Sequence, residues 1–423
     1  MFIFYFLIFI LISSFVLCIY IEIKFLSPTI IFWIALSGIF LLPHLIHCLF
    51  LHTTNLDTLI KTTIFVSLFN FLYFFAKVLI IKSIRKKRYN WIFRNIYNFK
   101  NERVNHLLVL LYSIGLALWI LGLLVAGFNP LSAGWADTLN VNTVFSQIGN
   151  ILIFTSSGII LYNYLTGNTK TLIITIVLSL SCIILLRARI LLIALLIPFL
   201  LLILYRNNKI NIKLKFVLLI LTFTFLLFFL QAFRWSGGIN KFTLQKIPSI
   251  ITTSLYNITG THGEFHLVTE FYTIVEKKNI TKNFGEGRTY WRLALFWLPS
   301  PLIPEHLKFV KPRDFAIDMY NLVHKTPENN RGTTHPTFYG DLFANFGWSG
   351  FFMAIFWAFV TEFFDQLFRN NQSKFVFMLG NISTFYIIIA RGAIYNGSFA
   401  MIITLFIISI LYYKYKIGST VLF

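Results

Sequence analysis

The sequence has 423 residues, of which 57% are hydrophobic and only 12% are charged, and its mean hydropathy is +0.75. Soluble domains carry about 25% charged residues, so the composition excludes a soluble globular protein and indicates a chain that lies in a lipid bilayer. The net charge of +21 would suggest nucleic-acid binding in a soluble protein, but in a membrane protein the position of the basic residues matters more than their number.

Apolar runs of about 17 to 25 residues are long enough to cross a bilayer as helices. The first run follows Met1 without a basic region and is therefore typical of a membrane span rather than a cleaved signal peptide. The two short runs on either side of Arg187 could also form one kinked or re-entrant element. About eleven spans are predicted, near residues 2–22, 29–51, 59–81, 106–127, 145–165, 171–186, 190–205, 215–233, 343–367, 375–390 and 397–413.

The segment between the third and fourth runs is the most basic part of the chain and reads "KSIRKKRYNWIFRNIYNFKNER", residues 82–103. The positive-inside rule predicts that this loop is cytoplasmic, which places the N-terminus outside and the C-terminus inside. Aromatic residues alternate with the basic ones, as they do in some nucleic-acid sites. Contact with anionic lipid headgroups is the favoured interpretation, so we expect membrane lipids and no nucleic acid as partners.

A single long loop of about 110 residues separates the eighth and ninth runs. It divides the chain into 1–233 with eight spans, 234–342 as an extracytoplasmic loop, and 343–423 with three spans. Nine of the fifteen acidic residues lie in this loop. Its stretch "TYWRLALFWLPSPLIP" predicts a short amphipathic helix that ends at Pro299 and lies on the membrane surface. We therefore expect any chemistry outside the bilayer to take place in this loop.

Metal and nucleotide sites find little support in the sequence. There is no Gly-x-x-x-x-Gly-Lys-Ser/Thr phosphate loop and no His-Glu-x-x-His pair. His262 and His266 lie four residues apart with Glu264 between them, so a helix would place both rings on one face. A third ligand is not evident, and we expect neither a metal nor another cofactor. ATP-driven pumping and zinc-dependent hydrolysis are therefore disfavoured.

Several arginines fall at the predicted outer ends of spans, where basic residues are usually rare. Each could extend to lipid headgroups or pair with an acidic residue of the loop. Several of them at one membrane face also fit a polar cavity, and guanidinium matches phosphate in charge and geometry. This pattern predicts a lipid-linked phosphate or pyrophosphate ligand for Arg187, Arg189, Arg234, Arg331 and Arg391.

Over about residues 100–415 the chain resembles the Wzy-type O-antigen and capsule repeat-unit polymerases. The segments that carry the resemblance are "RARILLIALLI", "FRW", "GEGRTYW" with "PSPLIPEHLKF", and "THPTFYGDLFANFGWSGF". Arg189 follows the small Ala188 as in the family, whereas Arg187 is an additional basic residue. The run of moderate specificity is Thr-x-Pro followed by spaced glycines, here Thr334, Pro336, Gly340, Phe346, Gly347 and Gly350.

The resemblance implies an all-α polytopic enzyme with a GT-C-like fold in the bacterial inner membrane. Such a metal-independent glycosyltransferase would transfer a growing glycan from undecaprenyl pyrophosphate to a sugar hydroxyl of a fresh lipid-linked unit, on the outer face. A lipopolysaccharide pathway would then supply the lipid-linked oligosaccharide, and a chain-length regulator protein is a possible partner. The alternatives are an O-antigen ligase of the same architecture and a lipid-linked oligosaccharide flippase, which the long outer loop disfavours.

Glycosyl transfer to a hydroxyl needs a side chain that accepts its proton. The candidates for this base are His335, Asp341 and Glu264. The arginines would hold the charge that develops on the departing pyrophosphate. Close packing of a re-entrant loop and the start of a span beneath the cavity is the role predicted for Gly340, Gly347 and Gly350, and small residues also allow simple tight packing between spans.

Overall fold

The protein is described by a computed structural model. It describes residues 2–25, 27–49, 55–84, 102–127, 144–156, 163, 167–186, 248, 266–277, 287–295, 319–321, 335–370, 382–392 and 394–415. Regular structure in these residues is helical throughout, with no strand. The described part of the chain is therefore all-α, in agreement with the predicted class.

The first three helices are long and apolar. Helix α1 covers Phe2–Lys24, α2 covers Ile30–Leu49 and α3 covers Leu56–Ile84. Within α2 a π-helical turn, Ser37–Leu41, links two α-helical parts. Helix α3 begins after Asn55, whose side-chain oxygen accepts the backbone N–H of Asp57 at 3.1 Å and so satisfies one of the unpaired donors of the first turn.

Five helices are found among the described residues in the central part of the chain. Two of them, α7 and α8, belong to the predicted outer loop. The bounds are Glu102–Val125 for α4, Val144–Ser156 for α5, Thr169–Leu186 for α6, His266–Glu276 for α7 and Arg288–Leu295 for α8.

The C-terminal part begins with the short helix α9, Thr337–Phe346. A 3-10 turn over Gly347–Phe352 leads into α10, Met353–Asn370. Helix α11 follows over 382–390, and α12 covers Ile394–Tyr415. The predicted boundary at 342/343 thus falls inside α9, which starts six residues earlier than the predicted span.

Five helical segments of the described chain are long and apolar enough to cross a membrane, namely Phe4–Lys24, Ile30–Leu49, Leu56–Ser83, His106–Val125 and Thr337–Gln366. The chain therefore has the character of a membrane protein. The predicted spans 190–205 and 215–233 lie outside the described residues, and the expected total of about eleven stays a prediction.

The segment Thr337–Gln366 is a helical hairpin and not a straight rod. A continuous helix would separate Phe338 and Trp357 by about 28 Å, yet their ring centroids are 5.4 Å apart. The chain turns at Gly347, whose φ is +57°. A Cβ on Gly350 would lie 2.8 Å from the carbonyl oxygen of Leu342. The chain therefore folds back at the 3-10 turn, so that Leu342 of α9 lies against Gly350 and Phe338 contacts Trp357 of α10.

The described chain falls into two compact units. The first contains the described residues of Met1–Arg88, Thr259–Gln366 and Phe385–Phe399. Its core is aromatic: Phe338 and Tyr339 of α9 insert between α1, α2 and α3, with Tyr339 5.0 Å from Phe40 and 5.5 Å from Phe69. The Tyr339 hydroxyl donates to Asn70 Oδ1 at 2.7 Å, which fixes α9 to α3.

The second unit contains the described residues of Tyr89–Ile258, Leu367–Thr384 and Ala400–Phe423. Within it α4 and α5 approach closely at two glycines. A Cβ on Gly149 would lie 2.7 Å from the carbonyl oxygen of Gly115, so a side chain there would separate the two backbones.

Candidate functional site

The start of α9 is a strained turn that packs against the chain after α11. Thr337 has φ +66°, a left-handed conformation that is rare for a β-branched residue and costs about 1–3 kcal/mol. Its N–H donates to the carbonyl of His335 at 2.9 Å, across Pro336. Gly392, with φ +103°, leaves no room beside it, because a Cβ there would lie 2.7 Å from the Thr337 carbonyl oxygen. The turn therefore lies beside the residue that follows Arg391.

Asp341, one helical turn into α9, is a buried carboxyl that two neutral donors orient. It is 7% exposed. The hydroxyl of Tyr290 donates to its Oδ1 at 2.8 Å, and the amide of Asn345 approaches the same oxygen at 3.2 Å. No described residue donates a hydrogen bond to Oδ2. One oxygen is thus held in place while the other can accept a proton.

Helix α8 of the predicted outer loop supplies the contacts that orient Asp341. The Thr289 hydroxyl donates to Asn345 Oδ1 at 2.7 Å, which directs the amide nitrogen of Asn345 toward Asp341. The N–H of Gly287 donates to the carbonyl of Asn345 at 3.3 Å. Burial, followed by the neighbouring Asp341 carboxyl, raises the pKa of Tyr290 well above its ordinary value. Tyr290 therefore remains a hydroxyl donor at any physiological pH.

The three predicted glycines of this region all lie where a larger residue would clash or be strained. A Cβ on Gly340 would lie 2.9 Å from Pro336 and 3.1 Å from Phe271 of α7. Gly347 has a positive φ at the turn, and Gly350 lies against the backbone of Leu342. These contacts let α7, α9 and the 3-10 turn before α10 approach closely.

A second polar group joins α7 to α2 and α3. His44 approaches the hydroxyl of Tyr272 with Nδ1 at 2.7 Å and Thr63 Oγ1 with Nε2 at 2.9 Å. Thr63 donates its own proton to the carbonyl of Leu59, so Nε2 of His44 carries a hydrogen. Burial raises the pKa of Tyr272 well above its ordinary value, and the phenol donates to Nδ1 of a neutral imidazole. Both nitrogens are used, so His44 serves to anchor α7.

A group of charges lies at the opposite ends of α2 and α3 and is called the Lys77 cluster here. It consists of Lys77 of α3, Glu22 of α1, and Glu362 and Asp365 of α10, all at most 2% exposed. The Lys77 ammonium lies 2.6 Å from Asp365, 3.1 Å from Glu362 and 3.8 Å from Glu22. No group of His, Cys, Asp and Glu among the described residues is arranged to hold a metal ion.

The predicted site is described only in part. His335 is partly buried, Asp341 is buried and Arg391 is exposed, and the packing of Gly392 on Thr337 brings their segments together. The other predicted base and four of the predicted arginines lie outside the described residues, namely Glu264, Arg187, Arg189, Arg234 and Arg331.

Sequence reasoning missed the partners of Asp341 and the whole Lys77 cluster. The sequence does contain a signal for the cluster, since ionisable residues within predicted spans are rare and usually functional. Tyr290 and Asn345 lie in segments that carry the resemblance, but their residue types do not single them out, because asparagine is common in turns and tyrosine is common at membrane interfaces. No protein-family profile, curated protein or solved structure matches the chain.

Proposed function

We propose that the chain is an oligosaccharide repeat-unit polymerase of the bacterial inner membrane, a metal-independent glycosyltransferase that uses undecaprenyl-pyrophosphate-linked donors. One observation carries this proposal. Two segments that are far apart in sequence, 287–290 and 335–347, meet at the buried carboxyl of Asp341, and a third, 391–392, packs on Thr337 one helical turn before it. The first two are segments on which the resemblance rests, and the third contains a predicted phosphate ligand.

Asp341 is the proposed general base. Tyr290 and Asn345 hold Oδ1, so Oδ2 accepts the proton of the acceptor sugar hydroxyl. The hydroxyl oxygen then bonds to the anomeric carbon of the donor. The bond from that carbon to the pyrophosphate oxygen breaks, and the lipid pyrophosphate leaves with the electron pair.

The charge on the departing pyrophosphate needs a positive environment. The N-terminus of a helix such as α9 carries a partial positive charge. Arg391 lies next to Gly392, whose backbone packs on that N-terminus at Thr337. We assign the pyrophosphate to this end of α9, with Arg391 as a bidentate donor. The departing pyrophosphate is also the proposed ligand of four further arginines, Arg187, Arg189, Arg234 and Arg331.

An O-antigen ligase would use the same base and leaving group with a different acceptor. The two activities differ in the product that a deletion strain makes. Loss of a polymerase leaves lipopolysaccharide with a single repeat, and loss of a ligase leaves no attached antigen. A chain-length regulator protein is a partner expected for the polymerase alone.

The test replaces Asp341 with asparagine in the native host, with Asp57→Asn as the control. Asp57 is 62% exposed and pairs with Lys61 on the surface, so its loss should leave the glycan ladder unchanged. Loss of a general base should slow transfer by about 10²- to 10⁴-fold, and Asp341→Asn should collapse the ladder to one repeat at unchanged protein abundance. A full ladder in Asp341→Asn would refute the assignment, and dependence on Mg²⁺ or Mn²⁺ after EDTA would refute the metal-independent mechanism.

A further inference from the structure

The first turn of α9 lies half-way along the two long helices that it packs on. The ring of Tyr339 is 5.0 Å from that of Phe40 in α2, and its hydroxyl donates to Asn70 in α3. Phe40 and Asn70 are close to the midpoints of these helices, each of which is long enough to cross a bilayer. When α2 and α3 cross the membrane, Asp341, two residues after Tyr339, therefore lies near the middle of the bilayer.

Helix α7 reaches a similar depth, although it belongs to the predicted outer loop. Its last residue, Glu276, accepts a hydrogen bond from Thr58 in the first turn of α3. Five residues earlier, the ring of Phe271 lies 6.1 Å from that of Phe40 and directly against Gly340 of α9. With 11 and 10 residues, α7 and α9 are about 15–17 Å long, which is half of the roughly 30 Å hydrocarbon core. Both are therefore half-span helices.

Polar groups at this depth are not all enclosed by protein. His335 is partly buried and Arg391 is exposed, and the packing of Gly392 on Thr337 holds both segments beside the first turn of α9. A guanidinium in contact with lipid chains at the bilayer centre is costly, and extension to the headgroups requires a position near the membrane surface. Pro336, with φ −82° and ψ 40°, is not helical, and irregular backbone at membrane depth lies within protein or beside water. The space beside Arg391 is therefore aqueous.

Aromatic side chains close this space toward the Lys77 cluster. Phe338 packs on Phe32, in the first turn of α2, at 5.0 Å and on Trp357 of α10 at 5.4 Å. Asp365 of the cluster accepts the hydroxyl of Thr29, just before α2, so this aromatic layer lies between the cluster and the first turn of α9. Water therefore enters from the end at which α3 begins, which is the outer face in the predicted orientation.

We propose that α7 and α9 line a water-filled cavity that opens on the outer face and ends near the middle of the bilayer, where His335, Asp341 and Arg391 lie. A hydrophilic ligand can then reach Asp341 without leaving water, and its anionic part would meet the guanidinium of Arg391. Chemistry that the sequence places in the outer loop would thus take place inside the membrane. The cavity would serve any hydrophilic ligand, so this inference does not depend on the proposed glycosyltransferase activity.

Cysteine labelling of the full chain in sealed spheroplasts tests the proposal. The probe is a membrane-impermeant, sulfonate-bearing methanethiosulfonate, which modifies thiols that contact water. We expect His335→Cys to react about 10²-fold faster than Leu68→Cys, because a charged group is disfavoured to that extent at the bilayer centre. Leu68 is the matched control, since it is 42% exposed and adjoins Phe69, at the depth of the first turn of α9. The parent chain, whose Cys18 and Cys48 are buried, gives the background. Equal rates for the two variants would overturn the proposal.

Hydroxyl-radical footprinting of the unsubstituted chain in lipid nanodiscs provides a second measurement that needs no variant. Radicals generated from water oxidise the side chains that water contacts. We expect oxidation of His335 and protection of Phe359, which is 58% exposed on the apolar face of α10, two residues after Trp357. Equal protection of His335 and Phe359 would contradict the cavity, whatever the protein's activity. Oxidised His335 in a wild-type protein that transfers no glycan would instead overturn only the proposed function.

Discussion

Asp341 and Lys77 are both buried ionisable residues, but their surroundings suit them to different tasks. Two neutral donors, Tyr290 of α8 and Asn345 of α9, orient Asp341 through one of its oxygens. Its other oxygen accepts no hydrogen bond from the described residues. Lys77 is surrounded by three carboxyls from two other helices. A carboxyl with a free oxygen can take up a substrate proton, whereas a fully surrounded ammonium holds helices together. The difference teaches that burial of charge alone does not identify a reactive group.

The largest effect should follow removal of the Lys77 ammonium. Lys77→Met leaves buried carboxylates without their cation, which typically costs about 3–5 kcal/mol, so we expect the protein to be lost from membranes. Immunoblots of membrane fractions measure this. The control is Lys61→Met, since Lys61 is 38% exposed and, within the part of the chain that the structure describes, forms its salt bridge with the exposed Asp57. Equal abundance of the two variants would show that the cluster does not hold the helices.

A smaller structural effect is expected at the start of α9. Gly392→Ala would bring a Cβ to 2.7 Å from the Thr337 carbonyl oxygen and place alanine at φ +103°. Backbone strain of this kind costs about 1–3 kcal/mol. We expect a lower thermal midpoint of the purified chain and a shorter glycan ladder, because the α9 N-terminus moves. Gly38→Ala is the control, as no atom lies within 4 Å of the added Cβ, and a similar loss there would contradict the account.

Loss of the Tyr290 hydroxyl should affect rate more than folding. Tyr290→Phe removes one donor to the Asp341 carboxyl, and a hydrogen bond to a charged group contributes about 1.5–3 kcal/mol. The predicted slowing of transfer is about 10- to 100-fold, measured as chain length at equal protein abundance. Tyr5→Phe is the matched control because Tyr5 is 54% exposed. A wild-type ladder in Tyr290→Phe would mean that Asp341 needs no positioning.

The smallest effect is expected for Arg391→Lys. Lysine keeps the charge but loses the bidentate geometry, so transfer should slow by about 10-fold if Arg391 binds pyrophosphate. An arginine that only extends to lipid headgroups would tolerate lysine fully. Glycan ladders normalised to protein abundance separate the two outcomes, and Lys24→Arg is a control for charge-conserving exchange at an exposed position.

The sequence predicted the helices better than it predicted their contacts. Spans 2–22, 29–51 and 59–81 lie close to α1, α2 and α3 because long apolar runs determine them directly. The sequence predicts a loop over 337–342, yet these residues form the first part of α9. Their polar and glycine content resembles a loop, and only the packing of α7, at Phe271 on Gly340, makes a buried helix of them.

The candidate site was predictable at Asp341 and not at its partners. Asp341 lies in the glycine-punctuated run that carries the resemblance and is one of the predicted bases. Tyr290 is 51 residues away, and nothing in its local sequence indicates a buried hydrogen bond. The Lys77 cluster likewise joins residues 288 positions apart, which only the packing of α1, α3 and α10 brings together.

The central claim is that Asp341 is the base of a lipid-linked glycosyl transfer. It is tested most directly with the purified full chain in proteoliposomes that contain a single synthetic undecaprenyl-pyrophosphate-linked repeat unit and EDTA. We predict that the wild type forms longer lipid-linked glycans and releases one undecaprenyl pyrophosphate per added repeat, and that Asp341→Asn, folded to the same thermal midpoint, forms none. Equal product from Asp341→Asn, or no product from the wild type with an authentic repeat unit, would contradict the account.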